Sequence, residues 1–235
     1  MVLQALKAAY ERALETEKVL MINPCAGVKP PPAVRRDRAL DEAELKALFA
    51  WMPLAKLSAS NRDLIELELL TGARQGEICG MLWSELDLHD GVWSLPGSRT
   101  KNGRPHTLFL AAQTVALLKR RREITRAQMG LPNPKVDKSL DPHGIVWALM
   151  HARKQCPIAN FICRNLRRSA LTGLARLGCP RVVQDRMANH VDTSIGAIYD
   201  RHSYDHEDKD WWQRWADALD GLRAAANVAQ LVRAA

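Results

Sequence analysis

Several features that mark whole classes of protein are missing from this sequence. No apolar run approaches the roughly eighteen residues of a membrane-spanning helix, which excludes that kind of anchor. The opening "MVLQALKAAYERALETEK" alternates charged and apolar residues and does not read as a signal peptide. The expected location is therefore the cytoplasm. Repeats and low-complexity tracts are absent, which excludes solenoids and disordered arrays. The cysteines (Cys25, Cys79, Cys156, Cys163 and Cys179) include no pair at the two-to-four-residue gap of a zinc site. They read as reduced thiols, most of them small core residues. Tyrosine is scarce: there are three, and two of them, Tyr199 and Tyr204, share the stretch "AIYDRHSYDHEDKDWW".

What is present reads as an ordinary globular chain with a basic surface. The 235 residues suffice for one sizeable core with a small appendage. The net charge of +8 favours a polyanionic partner. Its arginines are clustered, which suits bidentate phosphate contact better than scattered lysines would.

Residues 1–22 have helical spacing in Leu3, Leu6, Tyr10, Leu14 and Val19. The following "NPCAGVKPPPAVRRDR", with its prolines and basic residues, reads as an extended linker. Residues 1–34 are thus expected to be the end of something larger or a strap, and residues 35–235 the main domain. That domain is expected to be mainly α with a small antiparallel β-hairpin, an α+β chain. Asp41 and Glu44 form a capping box before Leu45, Leu48, Phe49 and Met52. "SNRDLIELELLTG" is a second helix, capped by Ser60 and stopped by Gly72. Two apolar runs flank "TKNGRP", in which Asn-Gly signals a hairpin. Further helices are expected over "AAQTVALLKRRREITRAQM", after Asp141-Pro142, and over "CRNLRRSALTGLARLG", "PRVVQDRMANH", "VDTSIGAIYDRH" and residues 208–230.

Each group with chemical potential also has a plain structural reading. Arg74 and Glu77 in "TGARQGEI" are either a surface ion pair or an arginine held by a carboxylate and aimed at a phosphate. Lys101 is either a solvated turn residue or the tip of a finger that reaches a leaving-group oxygen. Arg164, Arg167 and Arg168 crowd a helix N-terminus, where the macrodipole disfavours cations. An arriving anion would relieve that conflict. The same helix should bury Leu166, Ala170, Leu171, Leu174 and Leu177. His190 closes "RMANH", as a cap or as a reacting group. "KRRRE" at 119–123 reads as a solvated basic face. His202 and His206 have a metal-like spacing but no further clustered ligand, so no metal site is expected.

In this order the boxes "TGARQGEI", "TKNGRPHTLFL", "RNLRR", "ANH" and "IYDRHSY" resemble the tyrosine recombinase (phage integrase) family, with a prophage-type pattern. The gaps of 23 residues from Arg167 to His190 and 9 from His190 to Tyr199 fit it. The resemblance covers about residues 35–220, and "NP…GV" looks like the end of the family's core-binding domain. It implies the family's catalytic-domain fold and site-specific strand cleavage and rejoining through a 3′-phosphotyrosine, without metal, ATP or other cofactor. Arg74 and Arg167 would clamp the phosphate, and His190 would hydrogen-bond it. Lys101 would protonate the 5′-oxygen, Glu77 would support Arg74, and Tyr199 would be the nucleophile. One position departs: Arg164 stands where the family usually has histidine. Guanidinium cannot accept a proton, so the acceptor is open, and Arg164 is expected to stabilise the phenolate instead.

Implied partners are double-stranded DNA attachment sites, a tetramer of the chain on DNA, and room for accessory DNA-bending proteins at a bacterial or phage nucleoid. Trp211, Trp215, Leu219 and Leu222 form one stripe, for the chain's own core or for docking in trans on a neighbouring protomer. The acidic run "DHEDKD" is expected to face a basic partner surface. The competing readings are a catalytically silent DNA-binding relative and a type IB topoisomerase-like nicking-closing enzyme.

Overall fold

The computed structural model describes residues 2–16, 22–29, 38–125, 131, 139–190 and 204–234. The chain divides into two compact units, Met1–Asp37 and Arg38–Ala235. In the first, α1 (Val2–Thr16) buries none of its residues. A turn follows it, in which Asn23 accepts from the Cys25 amide at 2.9 Å and donates back to the Lys7 carbonyl at 3.2 Å.

The second unit is helical around a small sheet. Asp41 caps α2 (Glu42–Trp51) in a reciprocal box with Glu44, and Leu45, Leu48, Phe49 and Met52 are buried as their spacing predicts. α3 (Ala59–Thr71) is the central helix, with Leu64, Ile65, Leu67, Leu69 and Leu70 all buried. It ends at Gly72, whose φ of 57° needs no Cβ penalty. Its N-cap is Ser58, which accepts from the Asn61 amide, and not Ser60. Ser60 lies inside the helix and accepts from Arg121 at 2.8 Å. The short helix α4 (Gln75–Cys79) follows at once.

β1 (Leu86–Asp87), β2 (Val92–Leu95) and β3 (His106–Phe109) form one antiparallel sheet in chain order. Leu95 pairs with His106, so "TKNGRP" sits in a longer loop over residues 96–105 rather than a two-residue hairpin. A 3-10 turn at Gly97–Arg99 accounts for the extra length.

α5 (Ala112–Ile124) carries the basic run, which is not wholly solvated. Arg121 is buried against Asp63 at 3.2 Å, and Arg122 lies over the Trp83 ring. α6 (Pro142–Ala152) starts at the proline as expected. α7 (Cys163–Arg176) buries Leu166, Ala170 and Leu174, but Leu177 caps the helix and is exposed. α8 (Arg181–Met187) is short. The expected helix over "VDTSIGAIYDRH" lies outside the described residues.

α9 (Asp205–Ala234) is longer than the expected 208–230 and packs on α2, α3 and α7. Its buried stripe is Trp212, Trp215, Ala216 and Leu219, at i, i+3, i+4 and i+7. Trp211 stands partly out, under Arg214. The Trp215 indole donates to the Leu69 carbonyl at 2.8 Å. Of the stripe considered for docking in trans, Trp215 and Leu219 are buried in the chain's own core, and Trp211 and Leu222 pack partly buried against it. The acidic run is also used internally: Asp205 and Asp208 both bond Arg186, at 2.6 and 3.5 Å. Among the described residues no helix is long and apolar enough to cross a membrane.

Candidate active site

Four stretches of chain meet at one cleft of about 580 Å³, lined among others by Glu68, Arg74, Lys101, Arg164, Arg167 and His190. The cleft thus brings together five residues singled out from sequence. Tyr199 lies outside the described residues, and so does His202.

Arg74 occupies the N-cap position of α4, where its own backbone amide donates to Glu77 Oε2 at 2.8 Å. Its Nη1 donates to Glu77 Oε1 at 2.9 Å. Glu77 is buried and uses both oxygens on one residue, so it fixes backbone and guanidinium together. This is not a surface ion pair.

Arg167 stands on the first turns of α7. It donates from Nη1 to the Gly72 carbonyl and from Nη2 to the Ala188 carbonyl at 2.6 Å. Two backbone acceptors from separate elements aim the guanidinium without neutralising it. Burial, with the Arg74 charge beside it, pushes Arg167 down to about 10 against Glu77 and Glu68. It stays cationic at neutral pH. Two guanidinium groups so close, with too little negative charge, favour an incoming anion. The start of α7 is itself braced. Asn165 is buried, accepts from the Ile162 amide at 2.8 Å and donates to the Arg38 carbonyl at 2.8 Å. Arg164 is exposed one residue earlier, at the mouth of the cleft.

His190 follows α8 in a Schellman turn. Its amide donates to the Asp185 carbonyl at 2.9 Å and that of Asn189 to Arg186 at 2.8 Å. Asn189 takes the left-handed position at φ 49°, where glycine is the usual occupant. The His190 Nδ1 lies 3.1 Å from Asp185 Oδ1. Burial pushes Asp185 up, but bonds from Arg181 and His190 hold its carboxyl below the ordinary value. With Nδ1 on Asp185, Nε2 is left for the cleft: an acceptor in the neutral ring, a donor in the imidazolium.

Sequence reasoning missed several neighbours of this site. Glu68, on α3, is nearly fully buried at the cleft, and its Oε2 has no partner among the described residues. Burial pushes its carboxyl well above the ordinary value, against the Arg167 charge. The one signal was a lone carboxylate within the apolar run "LELL". His106, on β3, bonds the Met187 backbone. Burial pushes its ring down to about 4, where Glu77 and Arg167 pull in opposite directions. It is neutral at pH 7. Asp185 sits five residues before His190, a turn-specific spacing that periodicity does not reveal. Among the described residues no cluster of three or more His, Cys, Asp or Glu is placed to hold a metal.

The sequence pattern of the phage integrase family matches residues 38–206, well over half of the chain. The chain belongs to the phage integrase family. Prophage integrases IntA and IntZ of Escherichia coli (strain K12) are each 27% identical to it, over 85% and 82% of this chain. The matched parts are 47% and 50% of those relatives, so the chain spans about half their length. Among solved structures, the integrase of mycobacterium phage Brujita matches with a TM-score of 0.61 at 18% identity, covering 91% of this chain and 70% of that one. A lambda integrase tetramer bound to a Holliday junction matches with a TM-score of 0.61 at 20% identity, covering 83% and 58%. At those identities the likeness speaks for the integrase catalytic fold alone.

Proposed function

We propose that this phage integrase family member is the catalytic part of a site-specific DNA recombinase that cuts and rejoins strands through a 3′-phosphotyrosine. The observation that carries this is the convergence of Arg74, Lys101, Arg164, Arg167 and His190 on one cleft, with both clamp arginines held by dedicated acceptors. Phosphoryl transfer is mainly positioning and charge stabilisation. In this reading Arg74 and Arg167 hold the non-bridging oxygens and His190 bonds one of them. The Tyr199 oxygen attacks phosphorus and the P–O5′ bond breaks. Lys101 gives its proton to O5′, while the phenol proton leaves to water. Arg164 steadies the phenolate. A phosphodiester is exchanged for a phosphotyrosyl ester, so no ATP is needed.

Residues 1–34 are proposed to be the end of a preceding core-binding domain plus linker, and 35–235 the catalytic domain. Strand exchange takes two duplexes and four active sites, which implies a tetramer on DNA attachment sites in the bacterial cytoplasm. The lambda integrase tetramer on a junction, and a dimer of the same integrase on a core site, support this.

The test is covalent capture. The chain is mixed with nicked duplexes of randomised core sequence, and denaturant-resistant adducts are recovered and sequenced. A recurrent core sequence is expected. Binding without adduct would mean a silent relative, and adducts with no recurrent sequence a topoisomerase-like enzyme.

A further inference from the structure

Lys101 and His190 each stand next in sequence to an asparagine, and the two asparagines bond each other. Asn102 Nδ2 donates to Asn189 Oδ1 at 2.9 Å and to the Asn189 carbonyl at 3.2 Å, across 87 residues of chain. We propose that this pair is a latch that positions Lys101 over the phosphate held by His190 and the arginines. The proposal rests on the recombinase reading.

Three observations support it. First, the loop over residues 96–105 is braced within itself. Thr100 Oγ1 meets the Gly97 carbonyl at 3.0 Å and the Arg104 carbonyl at 2.7 Å, and Asn102 Oδ1 accepts from the Arg104 amide at 3.1 Å. A Cβ at Gly97 would fall 2.4 Å from the Gly103 carbonyl oxygen. The loop therefore moves as one piece, and what fixes the piece fixes the start of the Lys101 stem. Second, the same two elements meet again at the base of the loop, where His106 bonds the Met187 backbone. Tip and base of the loop are both tied to the end of α8, so the loop is registered against the His190 turn. Third, the acceptor side is rigid. Asn189 is held in the left-handed conformation by the Schellman bonds that also fix His190. One turn thus sets the imidazole and, through Asn102, the lysine. A lysine stem has four rotatable carbons, and a misplacement of about 1 Å can cost on the order of a hundredfold in rate.

The chemistry supplies a selective test. Lys101 acts only on the leaving oxygen, which must gain a proton as P–O5′ breaks. If sulfur replaces O5′, the thiolate leaves unprotonated, because a thiol has a pKa of about 8.5 and water one of about 16. Single-turnover cleavage is measured on a recovered core duplex with either O5′ or S5′ at the scissile position.

Asn102→Asp keeps the acceptor for the Arg104 amide and replaces the donor by an oxygen facing two acceptors. It should slow O5′ cleavage about ten- to a hundredfold and S5′ cleavage by less than about twofold. Asn189→Gly keeps the backbone conformation and one acceptor, so its effect on O5′ should be smaller. Equal losses on both substrates would mean a merely structural pair, and no loss from Asn102→Asp would mean no latch; either overturns the proposal. Absence of adduct from wild-type protein on both substrates would instead sink the recombinase reading, and the latch with it.

Discussion

The Trp215 indole occupies the space beside Gly173: a Cβ there would lie 2.1 Å from Cζ3 of the ring. This contact joins α9 to the helix that carries Arg164 and Arg167. Gly173→Ala cannot be absorbed by a rotamer change, because Trp215 is buried and bonded to the Leu69 carbonyl. Overpacking of this kind costs about 1–3 kcal/mol. Urea unfolding should show that loss, and Trp215→Phe in the same chain should recover part of it.

Glu77 should matter more to Arg74 than its distance from any substrate implies. Glu77→Gln keeps an acceptor for the Arg74 amide but loses the charged pairing with Nη1. Adduct formation is expected to fall about tenfold or more, with stability lowered by about 1–3 kcal/mol. Arg74→Lys should be slower still, because an ammonium cannot hold Glu77 and phosphate in one plane.

Two groups, Asp208 and His106, give stability opposite pH dependences. Burial raises Asp208 from 3.8 to about 7, despite Arg186. Between those values the folded chain holds a proton that the unfolded chain has lost, so stability falls as pH rises through the window. Burial lowers His106 from 6.5 to about 4, so its contribution is present above 6.5 and is lost as pH falls toward 4. The two oppose each other from about 4 to 6.5, and Asp208 alone acts just above. Asp208→Asn should turn the wild-type profile toward rising with pH, and His106→Gln toward falling. The slope for either group cannot exceed about 1.4 kcal/mol per pH unit. Urea midpoints from pH 4 to 7.5 check this.

Much of the fold was legible because its signals are local. The Asp41–Glu44 box, the Gly72 stop and the proline at 142 each act within one turn. The misread points depend on distant partners. Ser60 resembles a cap but serves a buried arginine that arrives 61 residues later. Arg121 sits in a basic run, yet Asp63 draws it inside. Trp211 and Trp212 are interchangeable on paper, and only the position of α9 against Gly72 and Gly173 makes Trp212 the buried one. At the site, the residues with charge and box spacing were found. Those that act through a backbone carbonyl or a turn, His106, Asn102, Asn189 and Asp185, left no periodic trace.

Arg164 is expected to act on the phenol rather than on the phosphate. A free phenol has a pKa of about 10, and a nearby guanidinium lowers it. Spectroscopic titration of Tyr199 should give a higher pKa in Arg164→Ala than in wild type. An unchanged value would remove Arg164 from the account.

Attack by Tyr199 can be tested directly with trypsin. Cleavage after Arg186, Arg201 and Lys209 places Tyr199 and Tyr204 on different peptides. Tyr204 sits in a left-handed conformation at φ 53° with Arg186 over its ring. Tyr204→Phe should leave adduct formation largely intact. The decisive measurement is peptide mass spectrometry of the covalent protein–DNA adduct. A nucleotide remnant is expected on the peptide from Met187 to Arg201, lost in Tyr199→Phe. A remnant on Tyr204, or one that survives Tyr199→Phe, would contradict it.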